Sequence, residues 1–166
     1  MRNNTTQLQS LAGTFLKVSS VASRVGLSLS QIYRLEKSGQ FPTRIDFGQA
    51  RGAWALADIV AWMQERLDAR PGRSATRAVA ADDRFVGKVE LRALVLFSDH
   101  YVLQLEKAKN FPIRIPVGGR VLWLESEVRD WRDSWLARNG RPTEPIGPGS
   151  VIARSPKASP YDGQFN

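Results

Sequence analysis

Residues 27–42 read LSLSQIYRLEKSGQFP, and this stretch contains a helix together with its start and stop signals. Ser28 is suited to cap the helix, because its hydroxyl can accept a hydrogen bond from a free backbone amide of the first turn. Gly39 suits the left-handed residue that follows a helix, and the Phe-Pro pair beyond it prevents the helix from continuing. The stretch therefore predicts a helix over 29–38.

A shorter helix precedes this stretch. Apolar residues at helical spacing predict it over 20–25, with Ser19 or Ser20 as its N-cap. Gly26 ends it, because glycine accepts the positive φ of a sharp turn. Two helices joined by a glycine turn predict a helix-turn-helix.

The residues that follow the helix-turn-helix predict a two-stranded wing and a closing helix. Short apolar alternation around a glycine-bearing tip predicts a β-hairpin over 45–54. Apolar residues on one face predict a third helix over 56–68.

The same pattern occurs twice in the chain. A shift of 70 residues aligns the pairs Phe15 and Phe85, Ser28 and Ser98, Leu35-Glu36-Lys37 and Leu105-Glu106-Lys107, and Phe41-Pro42 and Phe111-Pro112; after a one-residue deletion it aligns Trp54 with Trp123 and Trp62 with Trp131. These are turn and packing positions, so we expect the N-terminal unit (15–70) and the C-terminal unit (85–140) to fold alike. The four aligned tryptophans are expected in the cores.

The C-terminal unit repeats the predicted elements with changes. Its helices are expected over 89–95, 99–108 and 125–137, and its hairpin over 113–123. Leu96 replaces the turn glycine of the first unit, which makes the sharp turn harder and permits a tighter or differently angled helix pair.

The predicted fold class is mainly α with small β-hairpin wings, in two tandem winged helix-turn-helix domains. The predicted organisation is a disordered segment (1–14), domain 1 (15–70), a linker (71–84), a divergent domain 2 (85–140) and a disordered tail (141–166). The linker reads PGRSATRAVAAD over 71–82, a composition typical of a compliant connection. We therefore expect it to permit either relative orientation of the units.

The composition favours a polyanionic partner. The chain of 166 residues has a net charge of +8 and no cysteine, which excludes disulfides, cysteine-ligated zinc and a thiol nucleophile. It has a single histidine and no glycine-rich phosphate loop, so we expect no enzymatic activity, no cofactor and no metal. Without a signal peptide or spanning segment we expect a cytoplasmic, nucleoid-associated protein.

The second helix of the N-terminal unit has side chains suited to reading a major groove. With Ile32 and Leu35 toward the core, the opposite face carries arginine, glutamine, serine and lysine, which pair with base edges and phosphates. The helix N-terminus suits a phosphate, and the wing adds two arginines. The predicted DNA-binding residues of this unit are Ser28, Ser30, Gln31, Tyr33, Arg34, Lys37, Arg44 and Arg51.

The corresponding helix of the C-terminal unit has a different surface. Its candidate DNA-binding residues are His100, Tyr101, Gln104 and Lys107, with Arg114 and Arg120 on the wing. Asp99 near the helix start would repel a phosphate, and the apolar Leu96 and Leu103 suit a protein contact. Two roles therefore remain open for this unit: DNA contact, or dimerisation and partner binding.

The residues of 15–68 resemble the AlpA-like and excisionase-like winged-helix proteins of the MerR superfamily. The shared pattern is a leucine-serine turn, an Ile-Tyr-Arg-Leu helix, a Gly-x-Phe-Pro stop, a basic wing and a tryptophan in the last helix. The C-terminal unit keeps Phe111-Pro112, Gly118-Gly119-Arg120, Trp123 and Trp131, but lacks the glycine turn and the Tyr-Arg pair.

The resemblance implies site-specific binding of double-stranded DNA by a transcription regulator of a phage or mobile-element region in a prokaryote. The alternative that it implies is an excisionase, a recombination directionality factor that bends DNA for an integrase. A third interpretation makes the C-terminal unit an interaction module for a partner protein. The expected partners are double-stranded DNA, a second copy on the DNA, and an integrase or the transcription machinery.

Overall fold

A computed structural model describes residues 13–49, 51–71 and 77–140. The predicted tail, most of the predicted N-terminal segment and the middle of the predicted linker lie outside these residues. Helices dominate the described part and the sheets are small and antiparallel, which confirms the mainly α prediction. None of the helices in the described ranges has the length and apolarity to cross a bilayer.

The N-terminal unit has the element order strand, helix, helix, hairpin, helix. Its elements are β1 (Phe15–Leu16), α1 (Val18–Val25), α2 (Leu29–Lys37), β2 (Ile45–Asp46), β3 (Gly52–Ala55) and α3 (Leu56–Asp68). Two features differ from the sequence predictions. Helix α1 begins two residues earlier, after Lys17 and without a side-chain cap, and β1 adds a third strand that pairs with β3.

The signals around α2 act as predicted. The Ser28 hydroxyl accepts a hydrogen bond from the Gln31 amide (3.3 Å), and the Gln31 side chain accepts one from the Ser28 amide (3.1 Å). Gly26 and Gly39 have φ values of 67° and 70°. Trp54, predicted in the core, is buried and donates to the Pro42 carbonyl (2.8 Å), which fastens the wing to the end of the helix.

The C-terminal unit has the same element order. Its elements are β4 (Phe85–Val86), α4 (Lys88–Val95), α5 (Asp99–Lys107), β5 (Ile115–Val117), β6 (Arg120–Leu124) and α6 (Glu125–Arg138). Leu96 keeps the left-handed conformation of the glycine it replaces, with φ at 58°. It is also 85% exposed. The unit therefore accepts backbone strain at Leu96 rather than changing the turn.

The described residues form two hydrophobic cores, and the two units share the first of them. Side chains of β6 alternate across the sheet: Leu122 and Leu124 pack with the core residues of the N-terminal unit, and Trp123 between them packs in the second core of its own unit. In β4, Phe85 packs in the shared core and Val86 packs in the second core. The C-terminal sheet is therefore buried on both faces.

Polar contacts reinforce this packing. Arg70, buried at the end of α3, forms a two-pronged ion pair with Glu127 of α6 (2.7 and 3.0 Å) and donates to the Ile113 carbonyl (2.9 Å). Arg24 of α1 donates to the Asp83 carbonyl (2.9 Å). Burial lowers the pKa of Arg24, against the opposing attraction of Asp82 and Asp83.

The described part of the predicted linker, 77–84, lies in this contact. Val79 is buried in the shared core and its amide donates to Gln64 of α3 (2.8 Å). The structure thus holds the units in one relative orientation, whereas the linker composition alone permits either. The reason is the apolar area that each small unit would otherwise leave exposed.

Strain at Leu96 predicts that Leu96→Gly stabilises the protein. A left-handed conformation costs a residue with a Cβ about 1–2 kcal/mol, and the greater freedom of glycine in the unfolded chain offsets part of this. We expect the free energy of unfolding to rise by about 0.5–1 kcal/mol in urea denaturation. The control Gly26→Ala is expected to lower it, since a Cβ there would lie 3.0 Å from the Phe85 carbonyl oxygen. A loss of stability in Leu96→Gly would contradict the strain.

The shared core predicts that a cavity in one unit destabilises the other. Leu122→Ala removes a fully buried side chain and should cost about 2–5 kcal/mol. Because Leu122 packs with the N-terminal core, amides of α1 and α3 should also exchange hydrogen faster. Protection lost only in the C-terminal unit would show that the units do not share a core.

Candidate nucleic-acid interface

Helix α2 presents an exposed face of polar side chains that have no partner among the described residues. Ile32 and Leu35 are buried, as the sequence predicted, so the opposite face points to solvent. Ser30, Arg34 and Lys37 are exposed on it, and none of their side chains forms a hydrogen bond or ion pair within the described ranges. This face is available for a ligand.

Arg44 is held beside this face by two neighbours. Its guanidinium lies 5.0 Å from the ring centre of Tyr33, and its Nε lies 3.6 Å from Glu36 Oε2. The other oxygen of Glu36 accepts a hydrogen bond from the Arg44 amide (2.8 Å). Arg44 is therefore oriented before any ligand arrives, while its side chain stays about half exposed.

The wing places further positive charge next to Arg44. Arg51 lies just before β3 and borders the same groove as Tyr33 and Arg44. Lys17, the residue before α1, borders this groove as well. Lys17 was missed in the sequence because its position depends on β1, whose two residues are too few to show an alternation.

Gln31 is less free than the sequence suggested. Its Oε1 accepts from the Ser28 amide and hydroxyl (3.1 and 3.0 Å), and Arg120 Nη1 lies 3.4 Å away. Bidentate pairing with adenine uses both the oxygen and the nitrogen of the amide group. In this structure only the nitrogen is available, so Ser28 and Gln31 act first as the helix cap.

Arg120 belongs to the wing of the C-terminal unit but lies at the N-terminal turn of α2. Gly118, two residues before it, lies over Leu35: a Cβ at Gly118 would be 3.7 Å from Leu35 Cδ1. The packing of the two units therefore brings Arg120 to the surface of the N-terminal unit. The sequence alone predicts it on the surface of its own unit.

Helix α5 begins with a neutralised charge. Asp99 accepts two hydrogen bonds from Arg92 of α4, both 2.8 Å, and Lys88 lies 3.7 Å away. The Arg92 hydrogen bonds lower the pKa of Asp99, and the same contact raises the pKa of Arg92. The repulsion of phosphate expected from Asp99 is therefore offset by two cations.

The other predicted residues of the C-terminal unit are partly engaged with neighbours. His100 Nε2 lies 2.9 Å from Gln104 Nε2, and the Tyr101 ring packs edge-on against Phe97. Arg114 pairs with Glu106 and lies over the Trp123 ring. Lys107 is exposed and has no partner among the described residues. This helix thus offers fewer free groups than α2.

Comparison with known proteins supports the resemblance over the first unit. Residues 14–67 match the family described as "Prophage CP4-57 regulatory protein (AlpA)". The chain is also similar to an uncharacterized protein, ORF88, of Enterobacteria phage P4: 39% identity over 56 residues, which are 34% of this chain and 64% of that protein. The chain thus spans less than two thirds of this curated relative. No solved structure matches.

The contacts of Asp99 predict a shifted titration. Its lowered pKa means that the ion pair stabilises the folded state at pH values above the ordinary range of aspartate and is lost as pH falls through the lowered pKa. In Arg92→Gln we expect the pKa of Asp99 to rise toward its ordinary value. Carboxyl-carbon NMR titration measures the pKa of Asp99 in the unmodified protein and in the variant. An ordinary pKa of Asp99 in the unmodified protein would contradict its ion pair with Arg92.

Proposed function

We propose that this protein is a regulatory protein of a phage or mobile element that binds double-stranded DNA site-specifically through its N-terminal unit. The observation that carries the proposal is the free face of α2 beside a pre-oriented Arg44. The family match over 14–67 supports the regulatory role, since that family is described as a prophage regulatory protein. Binding rather than catalysis, in the cytoplasm of the host cell, is part of the proposal.

In the proposed complex α2 lies in the major groove. Arg34 is placed to donate two hydrogen bonds to guanine O6 and N7, and Ser30 to contact a neighbouring base. Lys37 lies one turn further along the same exposed face and is placed to bind a phosphate.

The surroundings of α2 supply the backbone contacts. Arg44 and Arg51 of the wing, with Lys17 beside them, form one positively charged border of the interface. Arg120 adds a cation at the opposite end of α2, near Gln31. Contacts on both sides of the helix would fix its register on the duplex.

An excisionase role uses the same surface. A regulator and an excisionase both need a DNA-reading helix and a wing, so the proposed DNA-binding surface fits either role. An excision reaction with the cognate integrase separates them: a requirement for the protein favours the excisionase, and altered transcription from a bound promoter favours the regulator.

An interaction role for the C-terminal unit is the second candidate. The observation that favours it is the combination of engaged polar groups on α5 with the exposed apolar side chains Leu96 and Leu103. This role is compatible with DNA binding by the N-terminal unit.

Arg34→Ala tests the DNA-binding proposal. A binding site is first selected from random duplexes with the full chain, and its affinity is measured by fluorescence anisotropy. We expect the variant to lose about 1–3 kcal/mol of binding free energy, and the base preference at one position to relax. The fold should persist, since Arg34 is exposed and its side chain forms no hydrogen bond or ion pair within the described residues.

The control Arg138→Ala removes the same charge from the last turn of α6. It should lower affinity only slightly and leave base preference unchanged, because the last turn of α6 is not part of the proposed interface and its charge acts only through the net field. Equal effects of the two variants, or no sequence enrichment in the selection, would overturn the proposal.

A further inference from the structure

One face of the sheet of the N-terminal unit is not covered by any other described residues. Phe15, Ile45 and Phe47 are 45%, 42% and 56% exposed on this face, and Phe15 packs edge-on against Phe47. Ala53 and Ala55 of β3 share the face, because they pair with Ile45 and Phe15 and lie on the side opposite the buried Trp54. A contiguous apolar face of this kind marks an interaction surface.

The equivalent face of the C-terminal unit is covered by the other unit. Strand pairing matches the two sheets residue by residue: Phe15 with Ala55 corresponds to Phe85 with Leu124, and Ile45 with Ala53 corresponds to Ile115 with Leu122. These four C-terminal residues are buried against the helices of the N-terminal unit. The chain thus shows how such a sheet face docks.

The surface that receives this sheet has an equivalent in the C-terminal unit, which nothing else in the described part of the chain covers. In the N-terminal unit this surface includes Gly26, where a Cβ would lie 3.0 Å from the Phe85 carbonyl oxygen and 3.2 Å from Leu122 Cδ2. The same position in the C-terminal unit is Leu96, in the same backbone conformation and exposed to solvent.

The contact within the chain and the pair of uncovered surfaces differ in which side, helices or sheet, carries the large side chain. Within the chain a small residue on the helices, Gly26, meets a large one on the sheet, Leu122. At the uncovered surfaces the helices carry the large residue, Leu96, and the sheet carries the small one, Ala53. The small Ala53 thus leaves room for the Leu96 side chain where Leu122 would not. The Leu96 Cβ would still lie close to the Phe15 carbonyl oxygen in this geometry, so the docked sheet has to shift by a few tenths of an ångström.

We propose that the sheet of the N-terminal unit in one chain docks on the helices of the C-terminal unit in a second copy, repeating the contact that joins the units within a chain. Leu96 of one copy then fills the space above Ala53 of the other. The contact is heterologous: each chain contributes a different surface to it, so one sheet and one helical surface remain free at the ends.

Two further contacts follow from the equivalence. Within the chain the rings of Trp62 and Phe85 lie 6.3 Å apart, and their equivalents Trp131 and Phe15 would meet between copies. The buried ion pair of Arg70 and Glu127 has no counterpart, because Asn139 and Asp58 occupy the equivalent positions. On α6, Arg129 and Arg132 stand at the positions of Val60 and Met63, which are buried in α3. The contact between copies is therefore weaker than the contact within the chain, and reversible.

Two singly blocked variants test the proposal. Phe47→Asp places a charge on the sheet face, and Leu96→Asp places one on the helical face at a conformation that aspartate tolerates. We expect the unmodified chain to associate with rising concentration in analytical ultracentrifugation, and each variant alone to stay monomeric. An equimolar mixture of the two should form a 1:1 dimer, because it offers one intact sheet face and one intact helical face.

The control is Leu29→Asp, at an exposed leucine whose equivalent in the C-terminal unit is already Asp99. It should associate like the unmodified chain. A monomeric unmodified chain at the concentrations used for NMR spectroscopy, or a variant that still dimerises alone, would overturn the proposal.

A size exchange tests the same contact without added charge. Ala53→Leu keeps the face apolar but should abolish association, because the new side chain meets Leu96. The double variant Ala53→Leu with Leu96→Gly reproduces the sizes of Leu122 and Gly26 and should restore it. Stronger association in Ala53→Leu alone would show nonspecific apolar contact and overturn the proposal.

Discussion

The alternation of Leu122, Trp123 and Leu124 along β6 is the constraint on which the rest of the structure depends. Successive side chains of a strand point to opposite faces, so one short strand contributes to two hydrophobic cores. A unit of this size is close to the lower limit at which its own core is stable. The C-terminal sheet, buried on both faces, adds apolar side chains to the cores of both units, and the ion pair of Arg70 with Glu127 lies at its edge.

This packing decides which groups remain available for a ligand. Because the C-terminal sheet is buried on both faces, its wing is occupied with the N-terminal unit, and Arg120 is brought to the start of α2. Among the described residues, the N-terminal wing does not pack against the other unit, and its Arg44 lies beside Tyr33, at the free face of α2. Within residues 13–49, 51–71 and 77–140, the asymmetry between the units thus arises because the C-terminal sheet is covered by the other unit and the N-terminal sheet is not.

The local elements could be predicted because their signals lie within a few residues of one another. Ser28, Gly26 and Gly39 set the bounds of α2 and its turn, and α3 was predicted with its observed bounds. The packing of the units could not, because strands of two to five residues do not show which face is buried. The role of Gln31 was likewise hidden, since capping and base recognition call for the same side chain. Whether the predicted DNA-binding residues contact DNA stays a prediction.

The exchange of sizes between the units also bears on which surfaces can pair. In the proposed contact between copies, Leu96 faces Ala53. If an N-terminal sheet docked instead on N-terminal helices, Ala53 would face Gly26 and leave a gap. If a C-terminal sheet docked on C-terminal helices, Leu122 would face Leu96 and clash. Only the pairing within the chain and the proposed pairing between copies match a large residue with a small one. Specificity of this kind rests on disfavouring the wrong pairings as much as on favouring the right ones. The strained backbone at Leu96 is then the local cost of a side chain that directs assembly.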